Sequence, residues 1–157
     1  MTYWFIGSRV RGMKVLVNNP NDAVGKAGEP DIDWGSPGYQ AFRILQVGFV
    51  AAPILAGLDK FFHLLVNWDQ YVPSLVAQRS PIGVHELMLV VGVIEIAAGV
   101  GVAWRPRIFA YVVAAWLLII IANLLLIPGY FDVALRDFGL FLGALALARL
   151  SQQFSGD

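Results

Sequence analysis

The stretch IFAYVVAAWLLIIIANLLLI, residues 108–127, decides the fold of this chain. It is apolar almost throughout, and Asn123 is its most polar side chain. A helix needs about 20 predominantly apolar residues to cross the hydrocarbon core of a bilayer. The stretch therefore predicts a transmembrane helix.

Further apolar segments on either side of this stretch meet the same length requirement. They are residues 42–66, 84–104 and 133–150. Short connections that contain proline or glycine end the helices and place consecutive helices antiparallel. We therefore predict an all-α membrane protein with an antiparallel bundle of four transmembrane helices over residues 41–150, followed by a short tail, 151–157. The longer connection after the first helix has room for a small amphipathic element on the membrane surface.

The composition supports a membrane protein and excludes several other classes. Hydrophobic residues make up 58% of the chain and charged residues 14%, whereas soluble domains carry about 25% charged residues. The formal net charge is zero, so nothing favours nucleic acid as a partner. Cysteine is absent, which excludes disulfides and thiolate metal sites within this chain. Membrane lipid is the expected surrounding.

Residues 1–40 differ from the rest and predict an irregular extramembrane segment. The run GKAGEPDIDWGSPG, residues 25–38, is rich in glycine, proline and acids. Residues 1–17 mix aromatic, basic and aliphatic side chains, which fits either a short helix on the membrane surface or strands paired with a partner. Trp4, Phe5 and Trp34 are more apolar than a free tail needs, so we expect the segment to contact membrane or protein.

Lysine and arginine near the helix ends predict the orientation in the membrane. With the N-terminus inside, the inner side holds Arg9, Arg11, Lys14, Lys26, Arg43, Arg105, Arg107 and Arg149, and the outer side holds Lys60, Arg79 and Arg136. This bias predicts a protein of a bacterial-type inner membrane with both termini in the cytoplasm.

Polar residues within the predicted helices are the candidates for function, because ionisable groups in the bilayer are costly. They are Asp59, Lys60, His63, Glu86, Glu95, Asn123, Arg136 and Asp137. Glu95 is expected near mid-depth, neutral or paired, and the others toward the outer side. One interpretation is structural: salt bridges, for example Asp59 or Glu86 with Arg136. The other is a polar cavity that holds a lipid headgroup, a quinone or a small substrate.

The histidines and glycines have more specific interpretations. His63 and His85 lie at similar depth on adjacent helices, but the chain has no third histidine, so we predict no metal site. Small residues that would let helices pack closely, internally or against a partner subunit, are Gly92, Gly99, Gly139 and Gly143. No known catalytic motif is present, and no catalytic residue is predicted.

Three stretches resemble the DoxX-like family of small four-helix membrane proteins. They are RILQVGFVAAPILAGLDKFF at residues 43–62, GVIEIAAGVGVAWRPR at 92–107 and ALRDFGLFLGALALA at 134–148. The first is similar to the family's arginine-led first helix, the second to its glutamate-and-glycine helix before a basic turn, and the third to its Arg-Asp start. The positions that match are Arg43, Lys60, Glu95, Arg136 and Asp137.

The resemblance implies a link to membrane redox complexes, since one branch of the family resembles a subunit of a thiosulfate:quinone oxidoreductase. The first hypothesis is therefore an accessory, non-catalytic subunit of a membrane electron-transfer complex, without a redox centre of its own and bound to other subunits. The second is a catalytic or transport component whose polar cluster binds a quinone or a small anion. In either case the expected bound molecule is a quinone or a lipid, and no cofactor is expected in this chain.

Overall fold

A computed structural model describes residues 33–155, and this part of the chain is helical without any strand. Its helices are α1 (Pro37–Phe62), α2 (Ser74–Arg79), α3 (Val84–Trp104), α4 (Pro106–Leu125) and α5 (Phe131–Phe154), with a 3-10 turn at Trp68–Tyr71 between α1 and α2. The predictions for residues 1–32 lie outside the described residues.

Helix α1 begins at Pro37 and ends at Phe62, five and four residues earlier than the predicted segment 42–66. It begins at Pro37 because Ser36 caps it: the Ser36 side chain accepts a hydrogen bond from the Tyr39 N–H at 3.3 Å, and proline suits the first helical position. It ends at Phe62 because His63 adopts a left-handed conformation, with φ 53°. Residues 63–66 therefore belong to the following loop.

The remaining long helices lie where the segments predict them, but α5 extends beyond the predicted segment 133–150, so residues 151–154 of the predicted tail are helical. Helix α3 has the predicted bounds, and α4 begins with Pro106 directly after Arg105. The chain turns before α5 at Gly129, whose φ of 98° favours glycine. Between α1 and α3, the 3-10 turn and the short α2 correspond to the small element predicted for the longer connection.

The long helices pack as neighbouring pairs: α1 with α3 and α5, and α4 with α3 and α5. Two contacts between the start of α4 and the end of α5 show that these helices are antiparallel. The Arg107 guanidinium donates to the Ser155 carbonyl at 2.9 Å, and the Gln152 amide donates to the Tyr111 hydroxyl at 3.1 Å. Helices α1 and α3 are antiparallel as well, because Gly57 lies against Gly92 and Ile54 against Gly99.

The apolar core lies toward one end of this arrangement. It combines the start of α1 with the end of α3, the first half of α4 and the end of α5. Its buried members are Phe42, Phe49, Ala98, Val102, Ala110, Val113, Ala114, Leu117, Ala144, Leu147 and Ala148. The candidate polar residues lie toward the opposite end, where α1 and α4 finish and α3 and α5 begin.

The outer surface of the helices is apolar, as in a protein surrounded by lipid. Large hydrophobic side chains such as Ile44, Leu55 and Ile119 are exposed by 60–72%. By length and composition, α1, α3 and α4 can each cross a membrane, which fits an integral membrane protein. The sequence also predicts a span at α5; this helix is long enough but carries Asp132, Arg136, Asp137 and Arg149.

Candidate functional site

A buried ion pair joins α1 to α3 at the centre of the candidate site. The Lys60 ammonium lies 2.5 Å from the Glu95 carboxylate, and the two side chains are only 2% and 10% exposed. The same ammonium lies 3.7 Å from the centre of the Trp68 ring, a cation–π contact. Glu95 is therefore paired, which is one of the two states expected for a carboxyl group at that depth.

Close approach of the two backbones brings Lys60 and Glu95 together. A Cβ atom added to Gly57 would lie 2.5 Å from the Gly92 carbonyl oxygen, and one added to Gly92 would lie 2.8 Å from the Gly57 carbonyl oxygen. Such distances leave no room for a methyl group. Two turns along, a Cβ atom added to Gly99 would lie 2.9 Å from the Val50 carbonyl oxygen, so glycines line the α1–α3 contact.

Asp59 neighbours Lys60 in sequence, but its side chain forms hydrogen bonds with the loop that follows α1. One of its carboxylate oxygens accepts hydrogen bonds from the backbone N–H groups of Leu64 and Leu65, both at 2.9 Å. The other accepts from the Trp68 indole at 2.7 Å. Asp59 thereby fixes the ring that covers Lys60.

The salt bridges suggested from sequence are not the ones that form. Among residues 33–155, no ion pair joins Asp59 or Glu86 to Arg136. Asp59 is occupied by the loop, and Glu86 is exposed in the first turn of α3. Arg136 is exposed on α5, while its neighbour Asp137 is half-buried and lies within electrostatic range of Glu95.

Asn123 attaches the loop to α4. Its side-chain amide donates to the Tyr71 carbonyl oxygen at 2.8 Å. The Tyr71 ring packs edge-on against Tyr130, and the Tyr130 hydroxyl donates to the Gln70 side-chain oxygen at 3.3 Å. Asn123, the most polar residue of the stretch that predicts α4, therefore has a hydrogen-bond partner within the chain.

The two histidines meet at the exposed edge of the site. Their rings stack with centroids 5.2 Å apart and an interplanar angle of 30°. The carboxylate of Asp69, in the 3-10 turn, lies 3.7 Å from His85 Nδ1. His63, Asp69 and His85 each offer a ligand atom, and these three atoms lie within 4.8 Å of one another.

The glycines predicted to mark packing faces divide into two groups. Gly92 and Gly99 lie in the α1–α3 contact, and Gly143 on α5 faces the Phe49 ring, where an added Cβ would lie 3.2 Å from it. An added Cβ at Gly139 would meet nothing within 4 Å. Within residues 33–155, Gly139 therefore takes no part in close helix packing, and contact with a partner subunit stays a prediction.

Sequence reasoning missed several residues of the site. Gly57 is one of them, although its spacing from Lys60 places it on the same helix face. Trp68 and Asp69, in the loop that follows α1, are two more. Trp116 on α4 lies beside Glu95, but its buried indole N–H does not reach hydrogen-bond geometry with any partner.

Comparison of the chain with protein-family models, with curated proteins and with solved structures finds no match. The DoxX-like resemblance therefore rests on the three quoted stretches alone.

Proposed function

We propose that this chain is an accessory integral-membrane subunit of a membrane electron-transfer complex and has no redox centre of its own. The proposal rests on one observation: the polar side chains best suited to catalysis or substrate binding are paired with other groups of the same chain. Lys60 binds Glu95 and Trp68, and Asp59 binds the loop and the Trp68 indole. Because these side chains already have partners within the chain, they hold the helices together and are not available to bind a substrate.

The proposal includes a bundle of four spans, with α5 as the fourth. Helix α5 packs along both α4 and α1, so a membrane that surrounds those two helices also surrounds α5. Its charged residues lie near its two ends, where long side chains can reach water. The assignment to an electron-transfer complex rests on the resemblance of three stretches to the DoxX-like family: residues 43–62, 92–107 and 134–148.

The alternative proposal is a component that binds a quinone or a small anion. Trp116 favours it, because its buried indole N–H lies beside Glu95 but does not reach hydrogen-bond geometry with any residue of 33–155. This N–H could donate a hydrogen bond to a quinone carbonyl. Arg136 is exposed and could attract an anion. In this proposal the Lys60–Glu95 pair would position Glu95 and would itself carry no substrate.

Purification from native membranes separates the two proposals. We expect the full chain, carrying an affinity tag, to co-purify with cofactor-bearing subunits in mild detergent, and the isolated chain in lipid to show no quinone turnover. A variant lacking residues 2–32 keeps every described helix and should still insert, but it should lose those subunits if the N-terminal segment docks them. Turnover by the isolated chain, or purification of the full chain without any redox subunit, would contradict the accessory role.

The proposed orientation has a direct test, since the chain contains no cysteine of its own. We expect Gln78→Cys, in the exposed α2, to react with an impermeant thiol reagent in intact cells, because the charge bias places this loop outside. Gln152→Cys, exposed near the end of α5, should react only after the cells are opened. The reverse pattern would invert the orientation.

A further inference from the structure

We propose that His63, Asp69 and His85 form a binding site for a divalent transition-metal ion of the zinc class, at the end of the molecule where α1 finishes and α3 begins. From sequence we predict no metal here, because the chain has only two histidines. A metal site at this position is independent of the proposed accessory role.

The spacing of the donor atoms supports a shared ion. Zinc–nitrogen and zinc–oxygen bonds of about 2.0–2.2 Å place neighbouring tetrahedral ligands roughly 3.4 Å apart. The three candidate atoms already lie within 4.8 Å of one another. His63 and His85 are both exposed, so small rotations of their side chains suffice to close the remaining distance.

His63 has an unusual backbone conformation, with a positive φ angle. Within residues 33–155, it is the only residue other than glycine with a positive φ. Its N–H donates to the Asp59 carbonyl at 2.6 Å, while the Asp59 side chain holds Leu64 and Leu65. The turn that directs His63 toward His85 is therefore held firmly, as pre-organised sites often are.

Asp69 supplies an independent observation. Its Oδ2 atom lies 3.7 Å from His85 Nδ1, and its Oδ1 atom has no hydrogen-bond partner within residues 33–155. Oδ2 is therefore the oxygen beside the histidines that would bind the ion.

The chemical types of the three ligand side chains indicate which class of ion they would bind. Two imidazoles and one carboxylate are the ligands of many zinc sites that keep a fourth position open. Calcium and magnesium require mainly oxygen ligands and higher coordination numbers. A bound ion would join the end of α1, the 3-10 turn and the start of α3. Zinc is not redox-active, so it is compatible with a subunit that carries no redox centre.

Zinc binding by the full chain tests the proposal. Protein purified in detergent without a polyhistidine tag should bind one Zn²⁺ per chain in calorimetric titration and elemental analysis. We expect His63→Ala, His85→Ala and Asp69→Asn each to weaken binding at least about tenfold, the minimum cost of losing even an outer-sphere partner. The matched control, Asp132→Asn, removes an exposed carboxylate near the same end and should bind as the parent does.

A second measurement needs no variant. The chain contains two histidines, so the histidine adducts of diethyl pyrocarbonate, located by mass spectrometry, report on His63 and His85. We expect Zn²⁺ to protect both from modification, whereas Mg²⁺ should protect neither. Absence of zinc binding, unchanged modification with Zn²⁺, or parental affinity in folded His85→Ala would overturn the site.

Discussion

Replacing either member of the Lys60–Glu95 pair alone should lower the free energy of unfolding by about 3–5 kcal/mol. Lys60→Met leaves a buried carboxylate without its cation, and Glu95→Leu leaves a buried ammonium without its anion. In both cases the remaining charge loses its partner at 2.5 Å and cannot be hydrated without disrupting the α1–α3 contact. Unfolding in mixed micelles with increasing dodecyl sulfate, followed by circular dichroism, measures the change.

The double variant Lys60→Met/Glu95→Leu separates the ion pair from simple loss of packing. Because neither charge is left alone, and apolar residues of similar size often replace a buried pair without loss, its cost should be smaller than that of either single change. Arg43→Met is the control. Arg43 is exposed on the same helix, and within residues 33–155 it bonds only to nearby Gln46, so the effect should stay within about 0.5 kcal/mol. Additive costs in the double variant would show that the pair contributes no coupling.

Gly57→Ala should separate α1 from α3 and lower the free energy of unfolding by about 1–3 kcal/mol, the usual cost of overpacking. The added methyl group would lie 2.5 Å from the Gly92 carbonyl oxygen. A backbone atom cannot rotate away as a side chain can, so the helices must move apart. That movement also lengthens the Lys60–Glu95 contact, which lies one turn away on the same helix face.

Gly48→Ala provides the matched control within α1. An added Cβ at Gly48 meets nothing within 4 Å, so the only effect is the better helix propensity of alanine, worth up to about 1 kcal/mol. Comparing the two variants by the same unfolding measurement isolates the clash at Gly57. Equal stabilities for Gly57→Ala and Gly48→Ala would contradict the close contact between α1 and α3.

Much of the helical framework follows from the sequence alone. Apolar length predicts where α3 and α4 lie, and proline and glycine predict where they end. The early end of α1 could not be obtained in this way, since residues 63–66 continue the apolar run. The chain leaves the helix there because the Asp59 carboxylate captures the N–H groups of Leu64 and Leu65, which the sequence pattern does not reveal.

The sequence by itself determined in which part of each helix most polar residues lie, because that position depends only on the number of residues from a helix end; His63, in the loop beyond α1, is the exception. Only the tertiary structure decided their partners. Successive residues of a helix point about 100° apart, so adjacent Asp59 and Lys60 face different surroundings: Lys60 meets Glu95 on α3, and Asp59 meets the loop. The rotation of each helix is set by close contacts such as Gly57 with Gly92, which join residues far apart in the chain.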